Sequence, residues 1–481
     1  MKRSNESVDM TKPDDILDRE AEWQDLLAAW ESPGPEVVFV LGRRRAGKSF
    51  LLSRFVREIG GVYYQATKRT GEEQLSRLTR VVGECLGDSA LASGAGFPDW
   101  EALLGYLTDR SGGAQVLVLD EFPYLAAAEP ALPSILQTFI DHRWRNMPFK
   151  LVLCGSLITA MQRLEEQDQP LYGRRTCRID VAPFAYFNAA GFLPSCSVRD
   201  RLLAYGMVGG LPGHLDLLNP DLSLEENVCR TVLSASGRLS DEAQHTLDAF
   251  VEDAGVHYSI VAAIANGERT WRGITNRVGK SGGSVLRPLE WLMGMDIVER
   301  VVPIDEARPD RSRKSLYRIT DPYVAFWHRF VSPLAAAGSI GLVEPSLLWR
   351  KAILPRLNDH MGDIFEQICR EFVRHTTRLP FQPVRIGKWW SPDGREEIDI
   401  AALGSEGELL ACECKWGTVT VADVDLLRRR AHLLAARIPG ARQIHLAVFS
   451  GQDPADPVVR AAVESQGILF FGLPDIAQPV A

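Results

Sequence analysis

Residues 37–49 read Val-Val-Phe-Val-Leu-Gly-Arg-Arg-Arg-Ala-Gly-Lys-Ser, an apolar run followed at once by a loop with two glycines. The spacing of Gly42, Gly47, Lys48 and Ser49 is that of a phosphate-binding P-loop between a strand and a helix. Glycine is needed there because a backbone without Cβ can curve around phosphate oxygens and direct its N–H groups toward them. This stretch therefore predicts nucleotide binding.

The P-loop pattern assigns a role to each position of the loop. Lys48 is expected to contact the β- and γ-phosphates of ATP, and the hydroxyl of Ser49 is expected to hold Mg²⁺. The other nucleotide-binding positions in the prediction are Gly42, Arg45, Ala46 and Gly47. A chance glycine turn is the alternative, and the strand that precedes the loop argues against it.

Residues 116–121, Val-Leu-Val-Leu-Asp-Glu, supply the two carboxylates that such a site requires. Four apolar residues in a row suit a parallel strand covered on both faces, and acids at its carboxyl end lie where open α/β sheets bind ligands. We expect Asp120 to bind nucleotide-associated Mg²⁺ and Glu121 to polarise the attacking water. A structural strand that ends in acids is the alternative, and the nearby P-loop favours the functional interpretation.

Composition limits the class of protein. The chain has 481 residues, 46% hydrophobic and 24% charged, with a net charge of −8, which is typical of a globular protein of about three domains. The polar N-terminus and the lack of long apolar runs predict a cytoplasmic protein with no membrane partner. Because the overall charge is negative, any nucleic-acid-binding surface must be local.

The first part of the chain alternates apolar strands with helical patterns, as a doubly wound parallel sheet requires. Strands are expected at 36–41, 60–65, 115–119, 150–155 and 177–180.

Six segments, in order along the first half of the chain, resemble the archaeal-type ATPase family, a branch of P-loop ATPases close to AAA+ and STAND NTPases. They are residues 16–20, 42–49, 120–124, 155–156, 171–174 and 209–213. The resemblance implies an ATP-driven switch. It also implies that Ser156 hydrogen-bonds the γ-phosphate or the attacking water, with an ordinary turn as the alternative.

The same resemblance makes Arg174, or Arg175, a candidate arginine finger that stabilises charge on the γ-phosphate. A surface position in a turn is the alternative for Arg174. The family motif at 209–213 continues to an aromatic residue, whereas this chain has His214 there, so no nucleotide contact is assigned to that segment.

Residues 255–335 have the element order of a winged helix-turn-helix. Helices are expected at 258–265, 271–278 and 282–295, and strands at 297–302 and 315–319. The basic residues in this region are Arg272, Arg277, Lys280, Arg287, Arg308, Arg311, Arg313 and Lys314. These charges predict DNA as a partner; protein docking and an ordinary solvated loop are the alternatives.

Two strands with period-2 patterns, 396–402 and 409–416, are joined by a turn at residues 404–407. Strict alternation puts Ile398 and Ile400 on one face and directs Asp399, Glu413 and Lys415 to the other. Two carboxylates beside an amine suit a Mg²⁺ site in which lysine orients or deprotonates a water for attack on a phosphodiester.

This pattern resembles the PD-(D/E)XK nuclease fold, which implies catalytic roles for Asp399, Glu413 and Lys415. The resemblance places a further acid in an upstream helix, so Glu366 joins Asp399 and Glu413 as a predicted metal ligand. The fold's proline before the first acid is absent here. A salt bridge from Glu413 to Lys415, with no catalysis, is the alternative.

The predicted fold class is α/β: a P-loop NTPase doubly wound parallel sheet with a helical lid (1–235), a winged helix-turn-helix (236–340) and a restriction-endonuclease-like α/β domain (341–481). The predicted function is ATP binding and hydrolysis coupled to DNA binding and Mg²⁺-dependent DNA cleavage. The alternative is a STAND-like signalling ATPase that binds DNA or a partner without cleaving, and self-association is left open.

Overall fold

A computed structural model describes residues 10–110, 115–156, 158–244, 254–452 and 455–477. The chain divides into two compact units, Met1–Pro183 and Phe184–Ala481. The predicted domain boundaries after residues 235 and 340 stay predictions. Within the described ranges, the search for a helix with the length and apolar character of a membrane span finds none.

Five parallel strands form the sheet of the first unit, and all five lie where the sequence predicts strands. They are β1 (Glu36–Leu41), β2 (Val62–Gln65), β3 (Gln115–Asp120), β4 (Phe149–Gly155) and β5 (Cys177–Asp180). Their order across the sheet is β2-β3-β4-β1-β5. Every residue of β4 is buried, and in β1 only Glu36 is not, as expected for central parallel strands covered on both faces.

Helices connect these strands. Their bounds are Glu20–Glu31, Lys48–Ile59, Gly71–Leu86, Ser89–Ala92, Trp100–Asp109, Phe122–Ala128, Leu132–Thr138 and Ile158–Arg163. Several begin at side-chain caps: the Thr70 side chain accepts a hydrogen bond from Glu73 N, and Asp99 accepts one from Ala102 N. Such caps satisfy backbone N–H groups that have no partner inside the helix.

The second unit begins with helices and a two-stranded hairpin. The helices are Tyr186–Ala189, Val198–Val208, Pro212–Leu215, Leu224–Val228, Gly255–Ala265, Trp271–Val278 and Gly282–Gly294. The antiparallel hairpin consists of β6 (Val298–Val301) and β7 (Leu316–Ile319). The three helices and two strands predicted between 255 and 319 are present in that order, and their assignment as a winged helix stays a prediction.

The rest of this unit contains further helices and a mixed sheet. The helices are Pro322–Phe326, Ser332–Ala336, Pro345–Leu348, Leu354–His375, Val421–Ala435, Pro457–Glu464 and Leu473–Ile476. The strands are β8 (Arg385–Trp390), β9 (Glu397–Leu403), β10 (Glu408–Lys415), β11 (Gln443–Ser450) and β12 (Leu469–Phe471). They lie in the order β12-β11-β10-β9-β8; β9 runs antiparallel to both neighbours, and β10, β11 and β12 are parallel.

One extra residue in β9 changes which side chains share a face. Gly387 of β8 pairs with Ala401 and Trp389 pairs with Ile398, so two steps along β8 match three steps along β9. Such a β-bulge redirects side chains on the longer strand. Ile398 accordingly packs in the same core cluster as Ala401. The expected strict alternation, with Ile398 and Ile400 on one face, is therefore wrong.

The side chains of β10 alternate between two helices. Glu413 pairs with Val448 of β11, which packs in one cluster with Val424 of the helix Val421–Ala435. Cys414 pairs with Phe449, whose ring lies 5.9 Å from that of Phe372 in the helix Leu354–His375. Paired residues on neighbouring strands share a face. Glu413 therefore lies on the side of the helix Val421–Ala435.

A close backbone approach explains the glycines of the segment 209–213. Gly209 has a φ of +73°, and Phe184 N donates a hydrogen bond of 2.7 Å to the carbonyl oxygen of Gly210. A Cβ added to Gly210 would lie 2.0 Å from the carbonyl oxygen of Phe184. Packing of the second unit requires glycine here. His214 is buried beside the ring of Tyr323.

The substitution Gly210→Ala is expected to lower the free energy of unfolding by about 3 kcal/mol, because either the new methyl group or the Phe184 backbone must move. Urea denaturation followed by tryptophan fluorescence measures this change. Gly283→Ala is the matched control in the same unit: a Cβ at Gly283 meets no atom within 4 Å. Equal stability of the two variants would contradict the close approach.

Candidate functional site

Two glycines shape the P-loop of the first unit. Gly47 has a φ of +91° at the start of the helix Lys48–Ile59, a conformation that favours glycine. A Cβ added to Gly42 would lie 2.4 Å from the carbonyl oxygen of Val181. Both glycines predicted from the motif are therefore required by the backbone.

Lys48 occupies the inside of the loop. Its side chain is buried, and Nζ donates hydrogen bonds to the carbonyl oxygens of Gly42 at 2.8 Å and Arg43 at 2.9 Å. Phosphate oxygens can replace these two carbonyl oxygens as acceptors, because the Lys48 ammonium carries three donors and no acceptor. The geometry thus holds a positive charge at the centre of the predicted phosphate site.

Asp120 is fully buried at the end of β3 and joins the loop to the sheet. Its Oδ2 accepts hydrogen bonds from Ser49 Oγ at 2.6 Å and from Tyr63 OH at 2.7 Å. Burial and the charge of Asp120 raise the pKa of Tyr63 far above its ordinary value. A hydroxyl and a carboxylate oxygen fit Mg²⁺, which takes few protein oxygens and keeps several waters. Sequence reasoning did not identify Tyr63 as a partner of Asp120.

Glu121 and Ser156, both predicted as catalytic, lie in contact. Ser156 Oγ is 2.9 Å from each carboxylate oxygen of Glu121, and Ser156 N donates to the same carboxylate at 3.3 Å. Glu121 has a φ of +53°, which is rare for a residue other than glycine and is often found at functional sites. Because β4 lies between β3 and β1, Ser156 follows the strand between the acidic strand and the P-loop strand.

Arg174 is held by a carboxylate of its own unit. Its Nε and Nη2 donate to Asp141 at 3.0 Å and 2.7 Å, a two-point pair that raises the pKa of Arg174 and lowers that of Asp141. Arg175 donates to Glu165 at 2.6 Å. The finger role stays a prediction, and it would require Arg174 to leave Asp141.

Arg19 connects the segment 16–20 to the P-loop, a role that sequence reasoning missed. Its guanidinium donates to the carbonyl oxygens of Ala46 at 3.2 Å and Ala182 at 2.6 Å, and it pairs with Glu22 at 2.9 Å. The side chain is buried. The available signal was the position of Arg19 inside a segment that resembles the ATPase family.

A second cluster of ionisable groups lies in the unit Phe184–Ala481, and its centre is Lys388 of β8. Lys388 Nζ is 2.9 Å from Glu366, 3.8 Å from Asp399 and 3.9 Å from Glu397. The side chains of Lys388 and Asp399 are each only 9% exposed. Sequence reasoning missed Lys388; a lysine beside the aromatic pair Trp389-Trp390 in a strand was the available signal.

Burial changes the proton affinity of these acids. It raises the pKa of Glu366 to about 7, with a further contribution from the charge of Asp399. It raises the pKa of Asp399 to about 6, with the charge of Glu413 as the next contribution. The ammonium of Lys388 opposes both shifts.

Glu413 and Lys415 belong to a different network, beside the helix Val421–Ala435. Glu413 is 2.7 Å from Lys415 Nζ and 3.6 Å from Arg430. Arg430 in turn donates to Glu396 at 3.0 Å. The salt bridge between Glu413 and Lys415, which sequence reasoning named as the non-catalytic alternative, is present.

The predicted nuclease residues thus have different cation partners, although the two groups adjoin: Asp399 accepts a hydrogen bond of 2.8 Å from Cys414 N, and the charge of Glu413 contributes to the raised pKa of Asp399. Glu366 and Asp399 surround Lys388, whereas Glu413 and Lys415 pair with each other. In the part of the chain that the structure describes, no group of three or more His, Cys, Asp or Glu side chains could hold a metal ion. Glu366 and Asp399 are paired with the ammonium of Lys388, and the metal-binding roles of Glu366, Asp399 and Glu413 stay predictions.

These raised pKa values predict how stability depends on pH. The folded chain holds the protons of Asp399 and Glu366 more tightly than the unfolded chain, whose ordinary pKa values are 3.8 and 4.5. Their contribution to stability is therefore full below pH 4 and falls as the pH rises toward 7. In the presence of a metal chelator, the substitution Asp399→Asn is expected to reduce the difference in melting temperature between pH 5 and pH 8 by several degrees.

Asp393→Asn is the control for this measurement. Asp393 is exposed in the turn after β8, and hydrogen bonds from Ser391 and Arg395 lower its pKa, so that it titrates below this pH range. Its replacement should leave the difference between pH 5 and pH 8 unchanged. If Asp399→Asn also left the difference unchanged, the raised pKa of Asp399 would be refuted.

The parallel sheet with its P-loop and acidic strand defines a P-loop NTPase-like ATPase domain in the first unit. Residues 16–218 match the family model described as "ATPase domain predominantly from Archaea". Residues 327–427 match a family described as "Archaea bacterial proteins of unknown function". These matches support the archaeal ATPase resemblance drawn from the sequence.

Relatives extend the similarity beyond the ATPase domain. An uncharacterized protein of Methanocaldococcus jannaschii is 27% identical over 419 residues, which cover 86% of this chain and 90% of that protein. The Walker-type ATPase of Pyrococcus abyssi is 20% identical with a TM-score of 0.51, over 66% of this chain and 97% of that chain. The ORC2 protein of Aeropyrum pernix is 14% identical with a TM-score of 0.47, over 69% and 97%. The Pyrococcus structure supports the fold.

Proposed function

We propose that this protein is an ATP-hydrolysing switch whose second unit binds DNA. The observation that carries the ATPase part is the continuous arrangement of Lys48, Ser49 and Asp120, with Glu121 and Ser156 at the adjoining strand ends. Each of these side chains has the chemistry that phosphoryl transfer requires, and the hydrogen bonds bring them to one edge of one sheet.

In the proposed mechanism, Lys48 exchanges its bonds to the Gly42 and Arg43 carbonyls for oxygens of the β- and γ-phosphates. Ser49 and Asp120 would hold Mg²⁺, which neutralises charge on the phosphates when it is bound. Glu121 orients the attacking water, and Ser156 keeps the Glu121 carboxylate in position. Nucleotide controls the second unit only if it binds two conformations with different affinity.

DNA binding is supported by exposed positive charge around the hairpin of β6 and β7. Seven exposed arginine and lysine side chains there have no carboxylate within 4.0 Å among the described residues: Arg272, Arg277, Lys280, Arg287, Arg308, Arg311 and Arg313. Unpaired cations can replace the counterions of DNA phosphates, and this favours binding despite the negative total charge.

The geometry favours DNA binding without cleavage over the predicted Mg²⁺-dependent cleavage. Glu413 and Lys415 lie on the side of the helix Val421–Ala435, and Lys388 pairs with Glu366 and Asp399. A cutting site would need these acids around one ion. We therefore propose that the sheet of β8 to β12 has a binding or structural role.

DNA affinity measured across a salt series tests the binding proposal. The double substitution Arg311→Ala and Arg313→Ala is expected to weaken binding and to flatten the dependence on salt, because fewer counterions are released. Arg428→Ala is the matched control, since Arg428 pairs with Asp425 at 3.1 Å. Equal DNA binding by the wild type and the double variant would show that these hairpin arginines do not contribute to DNA binding.

Incubation of the wild type with DNA and Mg²⁺ tests cleavage separately. We expect intact DNA. Products that form with the wild type and disappear with Asp399→Asn and with Lys415→Ala would overturn binding without cleavage and restore the catalytic prediction.

A further inference from the structure

A cavity of about 70 Å³ lies within the unit Phe184–Ala481, between the hairpin of β6 and β7 and the helix Leu354–His375. It has room for several water molecules or for a polar group of similar total size. The apolar residues of its lining include Ile264, Leu316 and Tyr317. The P-loop lies in the other unit, so the pocket is a separate site.

The lining of the pocket is also rich in cations. Arg269, Arg318, Arg329 and Lys388 line it, together with the acids Asp363, Glu366 and Glu397. Arg269 pairs with Asp363, and Lys388 is shared by Glu366 and Glu397. Arg318 pairs with Glu299, which lies outside the lining. Each acid of the lining is thus within 4.0 Å of another cation, and Asp363 attracts Arg329 only from a greater distance.

Among the described residues of the lining, Arg329 is a cation without an ion pair within 4.0 Å. Within the described ranges, its guanidinium makes no ion pair or hydrogen bond and only lies 5.6 Å from the centre of the Phe330 ring. Burial lowers the pKa of Arg329, and so does the positive charge of Arg356. A guanidinium offers five N–H donors in a planar fork. Their natural partners are the oxygens of a carboxylate or phosphate.

A second donor in the pocket lining also lacks a partner. Arg318 Nη2 is buried without a hydrogen bond among the described residues. A buried guanidinium nitrogen without an acceptor is unfavourable and is rare in folded proteins. Two arginines with free donors therefore stand in a lining that also contains apolar residues.

We propose that this pocket binds a nucleotide through its phosphate, with Arg329 as the main phosphate contact and the apolar lining residues around Tyr317 against the base. The source of the nucleotide is either a free mononucleotide or the phosphorylated end of a DNA strand, because both present the same chemistry. Arg329 and Arg318 gain an anion, and the base covers apolar surface. This goes beyond the proposed ATPase and DNA-binding functions and requires neither.

Isothermal titration calorimetry on the full chain tests the proposal, with Lys48→Ala as the background so that the P-loop does not take up the probes. The probes are inorganic phosphate, dAMP, and one short single-stranded oligonucleotide with either a 5′-phosphate or a 5′-hydroxyl. We expect dAMP to bind, and Arg329→Ala to weaken it on the order of tenfold to a hundredfold. Arg329→Lys should be intermediate, since it keeps the charge and loses the fork.

Arg356→Ala is the matched control. The Arg356 guanidinium lies 5.4 Å from the centre of the Phe330 ring, which Arg329 also contacts, but Arg356 does not line the pocket. It should bind dAMP like the background protein. Tighter binding of the 5′-phosphorylated strand than of dAMP assigns the site to DNA ends, and the reverse assigns it to free nucleotide. Absence of binding by every probe to the background protein overturns the proposal, and so does dAMP affinity that Arg329→Ala leaves unchanged.

If the P-loop proposal fails, the wild type shows no ATP binding that depends on Lys48, and this result leaves the pocket measurement intact. If the pocket proposal fails, dAMP does not bind in the Lys48→Ala background, whereas ATP still binds to the wild type. The two failures are therefore distinguishable by comparison of the two proteins.

Discussion

Replacement of Lys48 by alanine is expected to reduce ATP turnover by about a hundredfold or more and to weaken ATP binding strongly. Lys48 is the buried cation of the loop, and it holds the Gly42 and Arg43 carbonyls at 2.8 Å and 2.9 Å. Without the ammonium, the phosphates lose a charge-assisted contact, and the two carbonyls lose their donor. Steady-state phosphate release and calorimetric titration with ATP and Mg²⁺ measure the two effects.

Arg44→Ala is the matched control for this experiment. Arg44 carries the same charge, lies four residues away in the same loop and is exposed. Its replacement should change turnover by much less than that of Lys48. Equal activity of Lys48→Ala and the wild type would refute the phosphate site, whereas equal losses in both variants would indicate a nonspecific charge effect.

Glu121→Gln is expected to reduce hydrolysis by roughly a hundredfold to a thousandfold and to leave ATP binding close to that of the wild type. The amide keeps the shape of the side chain, and its oxygen can still accept the hydrogen bond from Ser156 Oγ. It loses the negative charge that polarises water. Single-turnover hydrolysis and ATP titration of the same preparation separate the chemical step from binding.

Ser156→Ala is the companion variant, because Ser156 Oγ donates to the Glu121 carboxylate and lies 2.9 Å from each of its oxygens. If Ser156 positions Glu121, its removal should lower hydrolysis less than Glu121→Gln does, and the double variant should resemble Glu121→Gln alone. Additive losses would instead show that Ser156 contacts the phosphate or the water independently. Full hydrolysis by Glu121→Gln would exclude Glu121 as the residue that orients water.

Local patterns were enough to predict that the glycine loop and the acidic strand lie together, because phosphate chemistry restricts the residues of such a loop and their spacing. Gly42, Gly47 and Lys48 lie within one loop, and Asp120 follows its strand directly. Parallel strands that end at the same edge then bring Asp120 to Ser49, at 2.6 Å. The sequence could not indicate Tyr63, since a tyrosine in a short strand has many ordinary explanations.

The second unit shows why periodicity alone was insufficient. Strict alternation put Ile398 and Ile400 on one face, but alternation assumes that neighbouring strands advance by equal numbers of residues. The extra residue of β9 opposite Lys388 breaks this assumption. A bulge depends on how two strands pair, and the sequence of neither strand alone indicates it.

The amino-acid sequence by itself determined the P-loop, the acidic strand, the five strands of the first sheet and the element order between 255 and 319, because each depends on residues that are close in the chain. Tertiary structure alone decided the partners of those acids. Lys388 of β8 pairs with Glu366 and Asp399, which lie on other elements, and Glu413 pairs with Lys415 and Arg430. Charge pairing depends on the distances between side chains. Those distances are set only when the helices and strands pack together.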